Sequence, residues 1–248
     1  MNTLPPNNII KLIATASGNV LYFFGAQHTN NPDDDQFVKI KQTWDEFIEV
    51  TGSRKIIFVE GNTRELPEDY DESIKMYGET GAVYWLAKQA NLEVVRLEPD
   101  DEYHRTSLCE LFDPNLVAYT IIVQNLAGWF RHITETSFKE AITRVINRES
   151  KFSNIYGFIP TESWFEEKHR EIFDGQNLED KDFLNKITDP NRSDTVINKV
   201  VSARSELRNQ YIFSKITEAW DSGKSIFIIY GKGHLSALES SLRELVSR

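Results

Sequence analysis

The chain has 248 residues, 28 lysines and arginines against 38 aspartates and glutamates, and a formal net charge of −10. Its basic residues are scattered and gather on no stripe, which argues against nucleic acid as a partner. A single cysteine, Cys109, cannot close an internal disulfide, the start "MNTLPPNN" lacks a basic and then apolar leader, and no apolar run nears the ~20 residues of a membrane helix, so the expectation is a cytoplasmic protein with no membrane partner.

Along the chain, "NIIKLIATASGNVLYFFG" places β-branched and aromatic residues on both sides of Ser17, Gly18 and Asn19, the pattern of a hairpin. Asp33 to Asp35 supply an acidic helix start that needs no metal ion. Phe37, Ile40, Trp44, Phe47 and Ile48 then recur at helical spacing, and Gly52 is the expected stop. "KIIFVEG" reads as a central strand ending at Glu60, Asp71 to Ala90 as a helix, and "LEVVRLEP" as another buried strand. Strand, helix, strand, helix, strand predicts a parallel sheet with crossovers.

From 103 to 189 the periodicity is helical, with no strand, and predicts a helical insertion or lid. Residues 1–102 and 190–248 would form the α/β core around it, within one continuous domain. Most of Trp129, Phe130, Phe152, Tyr156, Phe158, Trp164 and Phe165 are expected as core between the insertion's helices, some as a cap over a crevice. A long helix over Thr195 to Trp220, a break at Ser222 and Gly223, the strand "IFIIYG" and a last helix complete the pattern. The predicted class is α/β: a mixed, largely parallel sheet with an N-terminal hairpin and flanking helices.

Ligands of open α/β sheets bind beyond the carboxyl ends of the strands. His28 follows "VLYFFG", Glu60 ends "KIIFVE", and His234 follows "IFIIYG" at the start of a helix. Three distant segments would therefore bring two imidazoles and a carboxylate to one rim. Gly25, Gly231 and Gly233 would let the chain turn sharply there or admit a ligand or another backbone. Glu98 and Asp100 end a strand at the same rim and are further contact candidates, although Pro99 makes a plain strand stop equally adequate. Glu79, in "YGETGAVYW", reads as a polar residue on an exposed turn. His104, His132 and His169 lack such a frame and read as surface or packing residues.

These short motifs, Gly25 to His28, Glu60, Arg208 with Asn209, and Gly231 to Leu235, together with "GETGAVYWLAKQANLEVVRLEP", resemble the TraB/PrgY/GumN and Tiki proteins of the wider superfamily that includes erythromycin esterases and ChaN-like haem-binding proteins. The resemblance implies a shared α/β core with the histidines, glutamate and arginine lining one cleft. Gly25 stands where the esterase branch has an acid, so the TraB or Tiki form fits better than a macrolide esterase.

Two chemistries are open at this point. His28, His234 and Glu60 would ligate a divalent transition metal that activates water, or one histidine would act as base with Glu60 orienting it. Arg208, one turn after Arg204 on the same helix face, would hold a substrate carboxylate or a developing oxyanion, with Asn209 beside it. The expected function is hydrolysis of a peptide, amide or ester bond in a peptide or small-molecule substrate. The competing reading is a non-catalytic protein that holds a small molecule, haem or peptide in the same cleft.

Overall fold

In a computed structural model of the protein, which describes residues 8–14, 17–50, 54–61, 65–130 and 136–248, alternating β-branched and aromatic residues form the expected hairpin. Ile9–Ile13 (β1) pairs antiparallel with Val20–Ala26 (β2), Ile9 opposite Phe24 and Ile13 opposite Val20. Gly52 and His132 lie outside the described residues.

Helix α1 (Asp35–Glu49) starts where Asp34 accepts a hydrogen bond from the Gln36 N–H, so the aspartate run is a helix cap with Asp35 in the first turn. The central run forms β3 (Arg54–Val59), and α2 (Tyr70–Gln89) follows behind an Asp69 cap. Gly78 kinks α2 with a left-handed φ of 57°, and a Cβ there would stand 2.9 Å from the Thr29 carbonyl oxygen, so only glycine lets that loop lie against the helix. β4 is short, Val94–Arg96.

A run of helices comes next: α3 (Asp101–Leu111), α4 (Pro114–Trp129), α5 (Phe138–Glu149), a 3₁₀ turn at Ser150–Phe152, α6 (Ser153–Tyr156), α7 (Glu162–Phe173), α8 (Lys181–Ile187) and α9 (Val196–Asp221). β5 (Lys224–Gly231) and α10 (Lys232–Ser247) complete the fold.

The described residues hold a five-stranded sheet in the order β1-β2-β5-β3-β4, in which β2, β5, β3 and β4 run parallel and β1 antiparallel. The expected α/β class with its N-terminal hairpin is what the chain adopts. β5, the last strand in sequence, is the middle one in space, with Leu21 to Ala26 on one side and Arg54 to Val59 on the other.

Backbone proximity divides the chain into two compact units, residues 1–98 with 209–248, and residues 99–208; the boundary at 208/209 falls inside α9. In the first unit, Phe37, Ile40, Trp44 and Phe47 of α1 and Ala82, Val83 and Leu86 of α2 pack with Phe24, Ile57, Phe227 and Ile229 on one face of the sheet. Ile212 and Ile216 of α9, with Leu235, Leu238 and Leu242 of α10, pack with Phe23, Ile56, Ile228 and Tyr230 on the other. At about 1.5–3 kcal/mol for each fully buried large apolar side chain, these two layers supply the main drive for folding this unit.

The second unit has helices and no strand among its described residues and centres on α4. The apolar character of α4 runs all round, with Val117 to Val123 buried, as a helix enclosed on every side requires. Tyr156 and Phe165 are buried here; Trp129, Phe130, Phe152, Phe158 and Trp164 pack against the same clusters. His104 and His169 are also buried, in line with packing roles. His169 Nε2 lies 2.5 Å from the Gln176 carbonyl oxygen, which can only accept, so this nitrogen carries the proton and Nδ1 accepts from the Tyr119 hydroxyl at 2.6 Å. Among the described residues, no helix is long and apolar enough to cross a membrane.

Candidate functional site

The predicted rim is occupied as the alternation of strands and helices dictates. β5 ends at Gly231, whose backbone continues directly into α10 at φ −53° and ψ 140°. Its N–H donates to Glu60 Oε2 at 2.6 Å, so the carboxylate that ends β3 is tied to the end of the neighbouring strand. Glu60 is fixed along its backbone as well: its N–H donates to the Ile229 carbonyl at 3.0 Å, and its own carbonyl accepts from the Thr80 hydroxyl.

His28 comes to the same point from the loop after β2. A Cβ on Gly231 would lie 2.6 Å from His28 Nε2 and 3.2 Å from Glu60 Oε2, so the bare face of this glycine is the floor on which imidazole and carboxylate meet. The His28 ring stands between two acids: Nε2 is 3.8 Å from Glu60 Oε2, and Nδ1 is 3.9 Å from Glu79 Oε2. Both separations exceed a hydrogen bond and suit an intervening water or a bound polar atom. With 62% of its side chain exposed, the ring is open to solvent.

His234 is the third residue of α10. Its Nδ1 lies 2.6 Å from Asn209 Oδ1, which as an amide oxygen accepts, so Nδ1 carries a proton. The ring meets the edge of Tyr230 at 5.3 Å and 86°. Tyr230 immediately precedes Gly231, so the two imidazoles border consecutive residues at the end of β5, one at each. The Tyr230 hydroxyl, with one proton to share, is 2.7 Å from Glu98 Oε1 and 2.8 Å from the Leu97 carbonyl.

His28, Glu60, His234, Asn209, Gly25, Gly231 and Gly233 all belong to the first unit, while Arg208 is the last residue of the second, half-buried on α9. Within the second unit Arg204 is held below the usual arginine value, first by burial and then by the neighbouring charges of Arg105 and Arg208, and it donates to Gln124 at 2.8 Å. Asp100 caps α3 through the Tyr103 N–H at 2.6 Å, a structural use that accounts for it fully.

Glu79 departs from the sequence expectation. It is buried, 6% exposed, because its helical spacing sets it on the same stripe as Ala82, Val83 and Leu86. Its Oε1 accepts from the Thr29 N–H at 3.0 Å and from Gln36 Nε2 at 3.1 Å. Gln36, wholly buried, was not singled out from the sequence; it accepts from the Gln27 N–H at 3.2 Å. Gly25 lies within β2, where a Cβ would be 3.2 Å from Lys232 Cα, so it admits the start of α10 and makes no turn. The left-handed turn off β2 falls on His28 itself, at φ 58°, a backbone conformation that costs a non-glycine residue roughly 1–3 kcal/mol. Gly233 faces open space.

Among the described residues, no three or more His, Cys, Asp or Glu side chains are grouped to hold a metal ion, so His28, Glu60 and His234 do not form such a set. Comparison of the chain with protein-family models, curated proteins and solved structures gives no match.

Proposed function

We propose that the protein is a hydrolase of the TraB/Tiki kind, cleaving an ester, amide or peptide bond with water activated by histidine. The observation that carries this reading is the bare face of Gly231, on which an exposed imidazole and a backbone-anchored carboxylate meet at the end of the central strand. An imidazole takes a proton from water as the water oxygen bonds to the substrate carbonyl carbon. The tetrahedral intermediate collapses, the bond to the leaving oxygen or nitrogen breaks, and the same proton passes to the leaving group.

His28, beside Glu60, has the exposure and the acidic neighbour that support an imidazolium during this cycle. His234, oriented through Nδ1 by Asn209, serves as the second proton carrier or as the group that aligns the water. No step is assigned to Arg208 or to a metal ion.

The test is a panel of p-nitrophenyl esters, p-nitroanilides and short peptides. His28→Ala is expected to lower kcat/KM by about 10²–10⁴, the usual worth of a general base, and His234→Ala by a similar factor. Turnover of none of the panel, together with a Soret band on adding haem that either variant abolishes, would replace hydrolysis with the ligand-holding reading.

A further inference from the structure

His28 has a left-handed backbone, an exposed ring and a place in a loop, three properties that ordinarily leave a side chain poorly aimed. The N–H groups of the residues on either side of it are nevertheless both taken up by one buried pair. Gln27 donates to Gln36 Oε1 at 3.2 Å and Thr29 donates to Glu79 Oε1 at 3.0 Å, while Gln36 Nε2 donates to that same Glu79 oxygen at 3.1 Å. Gln36 is 0% and Glu79 6% exposed, so the pair is held within the packed layer of α1 and α2. Asn30 extends the hold, its Nδ2 donating to the Lys75 carbonyl at 3.0 Å, and Gly78 admits the Thr29 carbonyl against the kink of α2.

We infer that Gln36 and Glu79 are positioning residues: together they clamp the N–H groups of the residues before and after His28, hold it in its left-handed turn, and so aim its ring at Glu60 and Gly231. Glu79 does this with Oε1. Its Oε2, 3.9 Å from His28 Nδ1, lies on the opposite side of the ring from Glu60, whose Oε2 faces Nε2. Buried hydrogen-bonded networks of this kind rigidify what they hold, because breaking one member leaves the others unpaired away from water.

The mechanical part of this inference stands on the hydrogen bonds alone; the catalytic part rests on the hydrolase reading. Amide hydrogen exchange followed by NMR tests the first. In the wild-type protein the Gln27 and Thr29 amides are expected to be protected; Gln36→Leu is expected to speed exchange at Gln27, and Glu79→Ala at Thr29, by at least about tenfold, with Ile228 in β5 unchanged. Glu79→Gln keeps an acceptor at Oε1 and is expected to retain the protection.

Turnover on the reactive members of the ester and anilide panel tests the second part. Glu79→Ala and Gln36→Leu are expected to lower kcat by at least about tenfold with KM little changed, and Glu79→Gln to restore it to near the wild-type value. Wild-type Gln27 and Thr29 amides that exchange as fast as open chain would overturn the clamp. Loss of turnover in Glu79→Gln as deep as in Glu79→Ala would overturn the positioning role, since the charge itself would then be acting. Protection lost as expected in a protein that hydrolyses nothing in the panel would uphold the clamp and overturn the hydrolase reading.

Discussion

Gly231→Ala is expected to remove most of the activity while leaving the fold in place. The backbone at this residue, φ −53° and ψ 140°, is one that alanine adopts without strain, so the substitution carries no conformational penalty of its own. The added methyl would instead stand 2.6 Å from His28 Nε2 and 3.2 Å from Glu60 Oε2. His28 is the partner that yields, because its ring is largely in solvent whereas Glu60 is fixed at both its N–H and its carbonyl. Unfolding stability should change by less than about 1 kcal/mol, and kcat/KM should fall by about 10², the usual cost of misplacing a reacting group by an ångström.

Gly233→Ala is the matched control. It also lies at the start of α10, nothing stands within 4 Å of its Cβ position, and a glycine replaced by alanine in a helix gains up to about 1 kcal/mol. Full activity in Gly233→Ala beside loss in Gly231→Ala places the effect on the imidazole and not on the helix. Equal activity in both would show that the position of His28 is of no consequence for turnover.

The strands and their order of occurrence were legible because each apolar run is short, bounded and separated by helical periodicity, and such patterns survive without tertiary context. The places of His28, Glu60 and His234 at strand ends followed from the same signal. The clamp behind His28 was not read, although a sign of it was present. Gln36 stands four residues before Ile40, and Glu79 three and four before Ala82 and Val83, so each polar side chain lies on its helix's apolar stripe. A carboxylate or amide on such a stripe is buried and must be hydrogen-bonded. Glu79 reads in the sequence as a polar residue on an exposed turn, whereas Gly78 kinks the helix against the His28 loop. Gln36 and Glu79 are 43 residues apart, and no local pattern announces a pairing over such a distance. The left-handed turn fell on His28 and not on Gly25 for a similar reason: the glycine's freedom is used for the close approach of Lys232, a contact between segments more than 200 residues apart.

In the second unit the largest expected effect on stability comes from Glu149. Arg105 is 2% and Glu149 0% exposed, and they meet through two parallel hydrogen bonds, Nε to Oε2 at 2.9 Å and Nη2 to Oε1 at 2.7 Å. The Tyr156 hydroxyl adds a third at 2.9 Å to Glu149, the Asp101 carbonyl takes Arg105 Nη1 at 2.6 Å, and the guanidinium lies 3.7 Å over the Phe152 ring. Burial works against the Arg105 charge, but the hydrogen bonds and charge of Glu149 outweigh it and hold the guanidinium above the ordinary arginine value. Burial and the same carboxylate push the Tyr156 phenol up.

Glu149→Ala would leave that guanidinium buried with only the largely exposed carboxylate of Asp101, 3.2 Å away, as counterion, and close enough to Arg204 to lower the latter's proton affinity. The expected loss is about 3–5 kcal/mol, read as a lower midpoint in urea. The double variant Arg105→Met with Glu149→Leu removes both charges and keeps most of the volume, so it should recover most of that loss, because the penalty belongs to the stranded charge more than to the missing bond. A double variant as unstable as Glu149→Ala would instead mean that the paired hydrogen bonds, and not charge balance, keep α3 and α5 together.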